Sequence, residues 1–146
     1  MKNILFLNSI LIFAVLAGCS KSGDSSEPWT QSQLMEPSML ASIINDTTKK
    51  QPVILDIGSF GGVKNSVRIG PARDKANIDM LRETLGKYPK DADIVIYCGC
   101  CPFKDCPNIR PAFNVLKEMN FTNAKLLNLP HNLKTDWADK GYPMNR

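Results

Sequence analysis

Two short runs with no polar face constrain this chain more than any other feature: Val53-Ile54-Leu55-Asp56-Ile57 and Ile94-Val95-Ile96-Tyr97. A strand that is apolar on both sides has to be covered on both sides, and the common solution is a parallel sheet held between helices. The surrounding residues agree. Met39, Leu40, Ile43 and Ile44 follow Pro37 at helical spacing and predict a short helix over 37–45. Ile78, Leu81 and Leu85 predict a second helix, closed by Gly86 and Pro89. Ala112, Val115, Leu116 and Met119 predict a third, which begins near Asn108 and ends at Asn120-Phe121. Residues 52–58, 93–97 and 124–129 read as strands, and 58–73 as a long turn-rich connection. This alternation predicts an α/β domain with a central parallel sheet, helices on both faces, and ligands bound beyond the carboxyl ends of the strands.

The second run leads straight into Cys98-Gly99-Cys100-Cys101-Pro102-Phe103-Lys104-Asp105-Cys106, four cysteines in nine residues. A cysteine loop between a buried strand and a helix start favours a thiolate, because loop N–H groups and the positive end of the helix dipole both stabilise an anion. Cys98, at the strand end, is the first candidate nucleophile. Cys106, nearest the helix start, is the alternative nucleophile or a resolving thiol. Gly99 permits backbone conformations that turn amides inward. Lys104 and Arg110 are candidates for holding an anionic substrate, with Cys100 and Cys101 lining the same loop.

The beginning of the chain reads as an address. Lys2 precedes an apolar stretch over 4–17 and then Leu16-Ala17-Gly18-Cys19. At about 1.5 Å per residue the stretch is roughly 21 Å long as a helix, short of the bilayer core of about 30 Å. It resembles a bacterial lipoprotein signal, which implies cleavage after residue 18 and a lipid on the Cys19 thiol. Residues 19–28 are mostly Ser, Gly, Asp and Glu with little to bury, as in a solvated tether, and residues 29–146 remain for one folded domain. The expected location is the cell envelope, anchored to a membrane by lipid and facing the periplasm or exterior. The formal charge of +4 is dispersed, with no basic block interleaved with aromatics, so no nucleic-acid partner is expected.

The domain resembles the rhodanese-like family. Val53 to Ile57 is similar to its first core strand, Arg68-Ile69-Gly70-Pro71-Ala72 to its isoleucine-proline-glycine-alanine turn in altered form, and Ile94 to Cys98 to the strand ending in the catalytic cysteine. Arg110-Pro111-Ala112, Asn120-Phe121-Thr122-Asn123-Ala124 and Trp137-Ala138-Asp139-Lys140-Gly141-Tyr142-Pro143 are similar to the helix, turn and closing motif that follow. The resemblance implies a sulfurtransferase that takes sulfane sulfur from a small donor, holds it as a persulfide on Cys98, and passes it to a thiol acceptor, without a cofactor. Three departures stand out. Gly58 occupies the place of the family's arginine, eleven residues separate Cys98 from Arg110, and four cysteines replace one.

The extra cysteines keep other chemistries open. A pair such as Cys98 with Cys106 or Cys101 suits thiol–disulfide exchange, served by a thiol reductant protein. Four thiolates also suit zinc, copper(I) or an iron–sulfur cluster, although Cys-x-Cys-Cys-x4-Cys is not the paired spacing of zinc sites, and no resident metal is expected. A catalytically silent binding module would keep the cysteines in structural disulfides. His131, the sole histidine, reads as a turn residue after Pro130. Asp56 reads as a turn cap, Trp137 and Phe121 as core, and Lys64, Arg68 and Arg73 as a solvated basic face.

Overall fold

The computed structural model describes residues 27–145, so the expected lipoprotein signal, the expected lipidation at Cys19 and most of the expected tether lie outside the described residues. The elements run β1 (Leu34–Met35), α1 (Pro37–Asn45), β2 (Val53–Asp56), β3 (Val67–Arg68), α2 (Lys75–Leu85), β4 (Ile94–Tyr97), α3 (Ile109–Glu118), β5 (Ala124–Leu127) and α4 (Leu133–Asp136). The five strands form one sheet in the order β1-β5-β4-β2-β3, every neighbouring pair parallel. Among the described residues no helix is long and apolar enough to cross a membrane.

Strand parity sorts the core into two halves, because successive side chains point to opposite faces. Leu55 and Ile57 of the β2 segment, Ile94 and Ile96 of β4, and Ala124 and Leu126 of β5 pack with Leu81 and Leu85 of α2 and with Ala112, Phe113, Val115 and Leu116 of α3. Ile54, Val95, Tyr97 and Leu127 point the other way, onto Leu40, Ala41 and Ile44 of α1 and onto Leu133 and Trp137. The helices thus cover both faces, as the two-sided strands require. Continuing the parity of Ile94 and Ile96 places Cys98 on the α2/α3 face, where it belongs to the same buried cluster as Phe103, Cys106 and Ile109.

The chain order also fixes where a site can form. From β2 the chain moves outward to β3, whereas from β4 it moves through α3 to β5 on the opposite side. The two connections leave neighbouring strands in opposite directions and open a crevice at their carboxyl ends, the switch point at which open α/β sheets bind ligands. Cys98 follows β4 there, and Gly58 lies just past β2.

α1 spans the predicted residues and starts on Pro37, while the chain leaves α3 two residues past Glu118 through Asn120 in the left-handed conformation (φ 61°), with the Phe121 N–H returned to the Leu116 carbonyl. β1, β3 and α4 were not expected from the sequence. Two-residue strands and a four-residue helix are too short to show periodicity; β1 and β3 are held by pairing with β5 and β2, and α4 by its Asn132 cap. Trp137 is fully buried, with its indole N–H donating to the Pro143 carbonyl at 2.9 Å, and Phe121 is buried, both in core roles.

α4 matters to the site because the Leu133 N–H donates to the Gly99 carbonyl at 3.0 Å, tying the cysteine loop to this helix. Asn132 caps α4 by accepting the Thr135 N–H at 2.9 Å. Asn132→Ala is expected to destabilise the domain by about 1 kcal/mol, the usual worth of such a cap, measured as a shift in the urea midpoint at unchanged slope.

Candidate functional site

The Cys98 thiol is 1 % exposed and is surrounded by groups that favour its ionised form. The Asn108 amide donates to its sulfur at 3.5 Å, and the Cys100 Sγ lies 3.3 Å away. The Cys106 thiol is the strongest influence, donating its proton to the Cys98 sulfur, and the Cys100 backbone N–H adds a further hydrogen bond. Together they outweigh burial and draw Cys98 down to about 5 from an ordinary value of 9.0. The partners move the other way. Cys106, as the donor to a neighbouring anion, is pushed well up, and burial and the two flanking thiols push Cys100 up to about 12. Cys98 carries the charge while Cys100 and Cys106 keep their protons.

The loop's four sulfurs converge. Cys98, Cys100, Cys101 and Cys106 are all free thiols, and their sulfur atoms lie within 4.8 Å of one another. Exposure is graded across the set, with Cys98 and Cys106 buried, Cys101 intermediate and Cys100 exposed. Cys100 and Cys101 sulfurs are 3.3 Å apart. Four thiols so close are also the donor set that a single thiophilic ion would use.

β2 supplies the opposite wall. A Cβ on Gly58 would stand 2.8 Å from the Cys98 sulfur and 3.2 Å from the Cys98 Cα, so only glycine leaves the sulfur its place. Gly99 is equally constrained, since a Cβ there would lie 2.6 Å from the Phe60 carbonyl oxygen. Asp56, 1 % exposed, accepts the Gly58 N–H at 3.0 Å and the Arg68 guanidinium at 2.9 Å. The turn-capping role expected of Asp56 is therefore present, but with an ion pair added. Arg68 comes from β3, twelve residues along the chain, and its second nitrogen donates to the Ser59 carbonyl at 2.8 Å. Burial raises the Asp56 carboxyl, partly countered by the Gly58 N–H and Arg68 and reinforced by the nearby Cys98 charge.

Lys104 and Arg110 take other positions. The Arg110 guanidinium binds Glu27 at 2.5 Å and the Lys104 carbonyl at 2.8 Å, and it lies 5.7 Å from the Trp29 ring centroid. Lys104 is exposed, its ammonium 6.0 Å from the Phe103 ring centroid. Arg110 therefore secures the start of the domain to the loop. His131 is exposed and pairs with Asp136 at 2.8 Å, in the turn role expected of it.

Asn108 escaped the sequence reading as a site residue. It is buried, and its side chain spans two parts of the site, donating to Cys98 and accepting the Arg73 N–H at 3.0 Å. It sits at the N-cap position of α3, yet its side chain makes no cap bond. The sequence signal was its place just ahead of a helix, which suggests a cap as readily as a ligand to sulfur.

A groove of about 410 Å³ lies over the loop, lined by Phe60, Gly99, Cys100, Leu133 and Met144, and gives a small molecule access at the Cys100 side. Another, of about 300 Å³, opens at the amino ends of the strands beside Asp93 and Ile94 and has no thiol in its lining. No protein-family model matches this chain, and no curated protein matches it. The class that the fold and site define is therefore a small α/β protein with a converged thiol site at the switch point of a parallel sheet.

Proposed function

We propose that this protein is an exported, lipid-anchored sulfurtransferase of the rhodanese-like kind, in which Cys98 carries sulfane sulfur as a persulfide. The observation that carries the reading is the buried Cys98 sulfur at the switch point, with the Asn108 amide donating to it at 3.5 Å and the Cys100 and Cys106 thiols beside it. Such donors favour a thiolate before reaction and an anionic persulfide after it. With thiosulfate as donor, the Cys98 thiolate attacks the outer sulfur, the sulfur–sulfur bond of the donor breaks, and sulfite leaves with the electron pair. The persulfide keeps one negative charge near the same donors. The family resemblance of residues 29–146 and the parallel α/β fold support the same reading. Cys19, if lipidated, would hold the domain at a membrane of the cell envelope.

Intact mass of the whole chain, reduced and kept without oxygen, tests this before and after thiosulfate. Followed from the first seconds, wild type is expected to pass through a form one sulfur heavier, and Cys98→Ser to show none. Loss of that form in Cys106→Ser but not in Cys98→Ser would move the nucleophile to Cys106. Neither a sulfur adduct nor released sulfide from the reduced wild type would overturn the transferase reading.

A further inference from the structure

A persulfide carrier needs one cysteine, and this loop has a second thiol in contact with the first. Cys100 Sγ lies 3.3 Å from Cys98 Sγ, close enough that a disulfide, with a bond of about 2.05 Å, needs only a small closing movement. Cys98 is buried and Cys100 exposed at the groove of about 410 Å³. The thiol nearest at hand for a sulfur on Cys98 is therefore Cys100, which has both the contact and the opening to solvent. The other two thiols fit less well. Cys106 is fully buried, with no opening to solvent, and Cys101 shows its close sulfur contact to Cys100 and not to Cys98.

We propose that Cys100 resolves the Cys98 persulfide, releasing the sulfane sulfur as hydrogen sulfide and leaving a Cys98–Cys100 disulfide that a dithiol reductant reopens. This rests on the persulfide reading above. The Cys100 thiol gives its proton to the anionic outer sulfur, the Cys100 thiolate so formed attacks the Cys98 Sγ, and the bond from Sγ to the outer sulfur breaks with its electron pair leaving on HS⁻. Cys98–S–S⁻ and Cys100–SH thus become Cys98–S–S–Cys100 and HS⁻. The sulfane sulfur is reduced, and the two cysteine sulfurs supply the electrons as they are oxidised to the disulfide. A dithiol restores both thiols by exchange and is itself oxidised. The second substrate of the cycle is thus a dithiol, and the product is sulfide.

The test uses the whole chain, reduced, freed of reductant and held without oxygen, with thiosulfate as donor. Mass and released sulfide are followed together. Wild type is expected to pass through the sulfur adduct to a form lacking two hydrogens, with one equivalent of sulfide, and dithiothreitol restores the starting mass. Cys100→Ser is expected to gain sulfur and keep it, releasing sulfide at least about a hundredfold more slowly because an intramolecular attack has been lost. Cys100 is exposed, so this variant spares the core, and its retained sulfur adduct would show that the site is intact. A wild type that holds the adduct stably overturns the release step while leaving the persulfide reading in place. Equal release from Cys100→Ser, or release lost only in Cys101→Ser or Cys106→Ser, overturns the assignment to Cys100. Absence of sulfur gain from both wild type and Cys100→Ser overturns the persulfide reading and the release step with it.

Discussion

Alkylation of Cys98 by iodoacetamide will titrate with a midpoint at about 5, and the rate at pH 6 will be close to the rate at pH 8. An ordinary thiol, with a pKa of about 8.5, slows roughly a hundredfold over the same interval. Burial lowers the absolute rate at Cys98, but access is the same at each pH, so the midpoint reports ionisation alone. Peptide mass mapping separates Cys98 from its neighbours, and Cys100, pushed up to about 12, is expected to label only in alkali. The same shifts have a sign for stability. The charge on Cys98 is favoured in the folded chain relative to the unfolded one, so its contribution grows as pH rises from about 5 towards 9.0 and is lost as pH falls back. Cys100 and Cys106 oppose this above their ordinary value of 9.0, since the fold keeps them protonated. Urea midpoints across this range should rise and then fall, and Cys98→Ser should flatten the rise. A midpoint near 8.5 for Cys98 alkylation would remove the activated thiolate from the site.

The parts of this architecture that were legible in the sequence are those set by burial alone. Two-sided runs could only be inner strands, and β2 and β4 are paired with each other at the centre of the sheet. α1, α2 and α3 showed as apolar stripes because each covers one face of that sheet. β1 and β3 lack any such signal, being two residues each and held by pairing with β5 and β2. The site divides in the same way. Cys98 was legible from its place at a strand end, and the loop's other cysteines from their density. Their convergence within 4.8 Å depends on a path through Phe103–Asp105 that no local spacing encodes. The partner of Asp56 was harder still. Gly58 suggested a lost cation, whereas Arg68 reaches the carboxylate from β3, a strand that itself could not be foreseen. Arg110 was legible only by its proximity in sequence to the loop; its packing on Glu27 and Trp29, from the start of the domain, was not. Short-range patterns disclose which residues are buried, and long-range packing decides which polar groups meet.

Gly58→Ala is expected to slow sulfur loading of Cys98 about a hundredfold while leaving the domain folded, and the reason is local. The new methyl would stand 2.8 Å from the Cys98 sulfur and 3.2 Å from both the Cys98 Cα and the Gly99 N. The backbone atoms belong to the end of the central strand and to a loop pinned between the Phe60 carbonyl and Leu133, so they yield little. The sulfur therefore moves, and with it the contacts to Asn108 and Cys106 that keep it ionised. A displacement of about 1 Å at a reacting atom is enough for a loss of that size. Two readouts distinguish this from general damage. The alkylation midpoint of Cys98 should climb in Gly58→Ala, since the hydrogen bonds favouring the thiolate are lengthened, and the urea midpoint should change far less than loading does. Wild-type loading in Gly58→Ala would mean that the sulfur takes up its cargo elsewhere than against β2, and the crevice between β2 and β4 would cease to be the site.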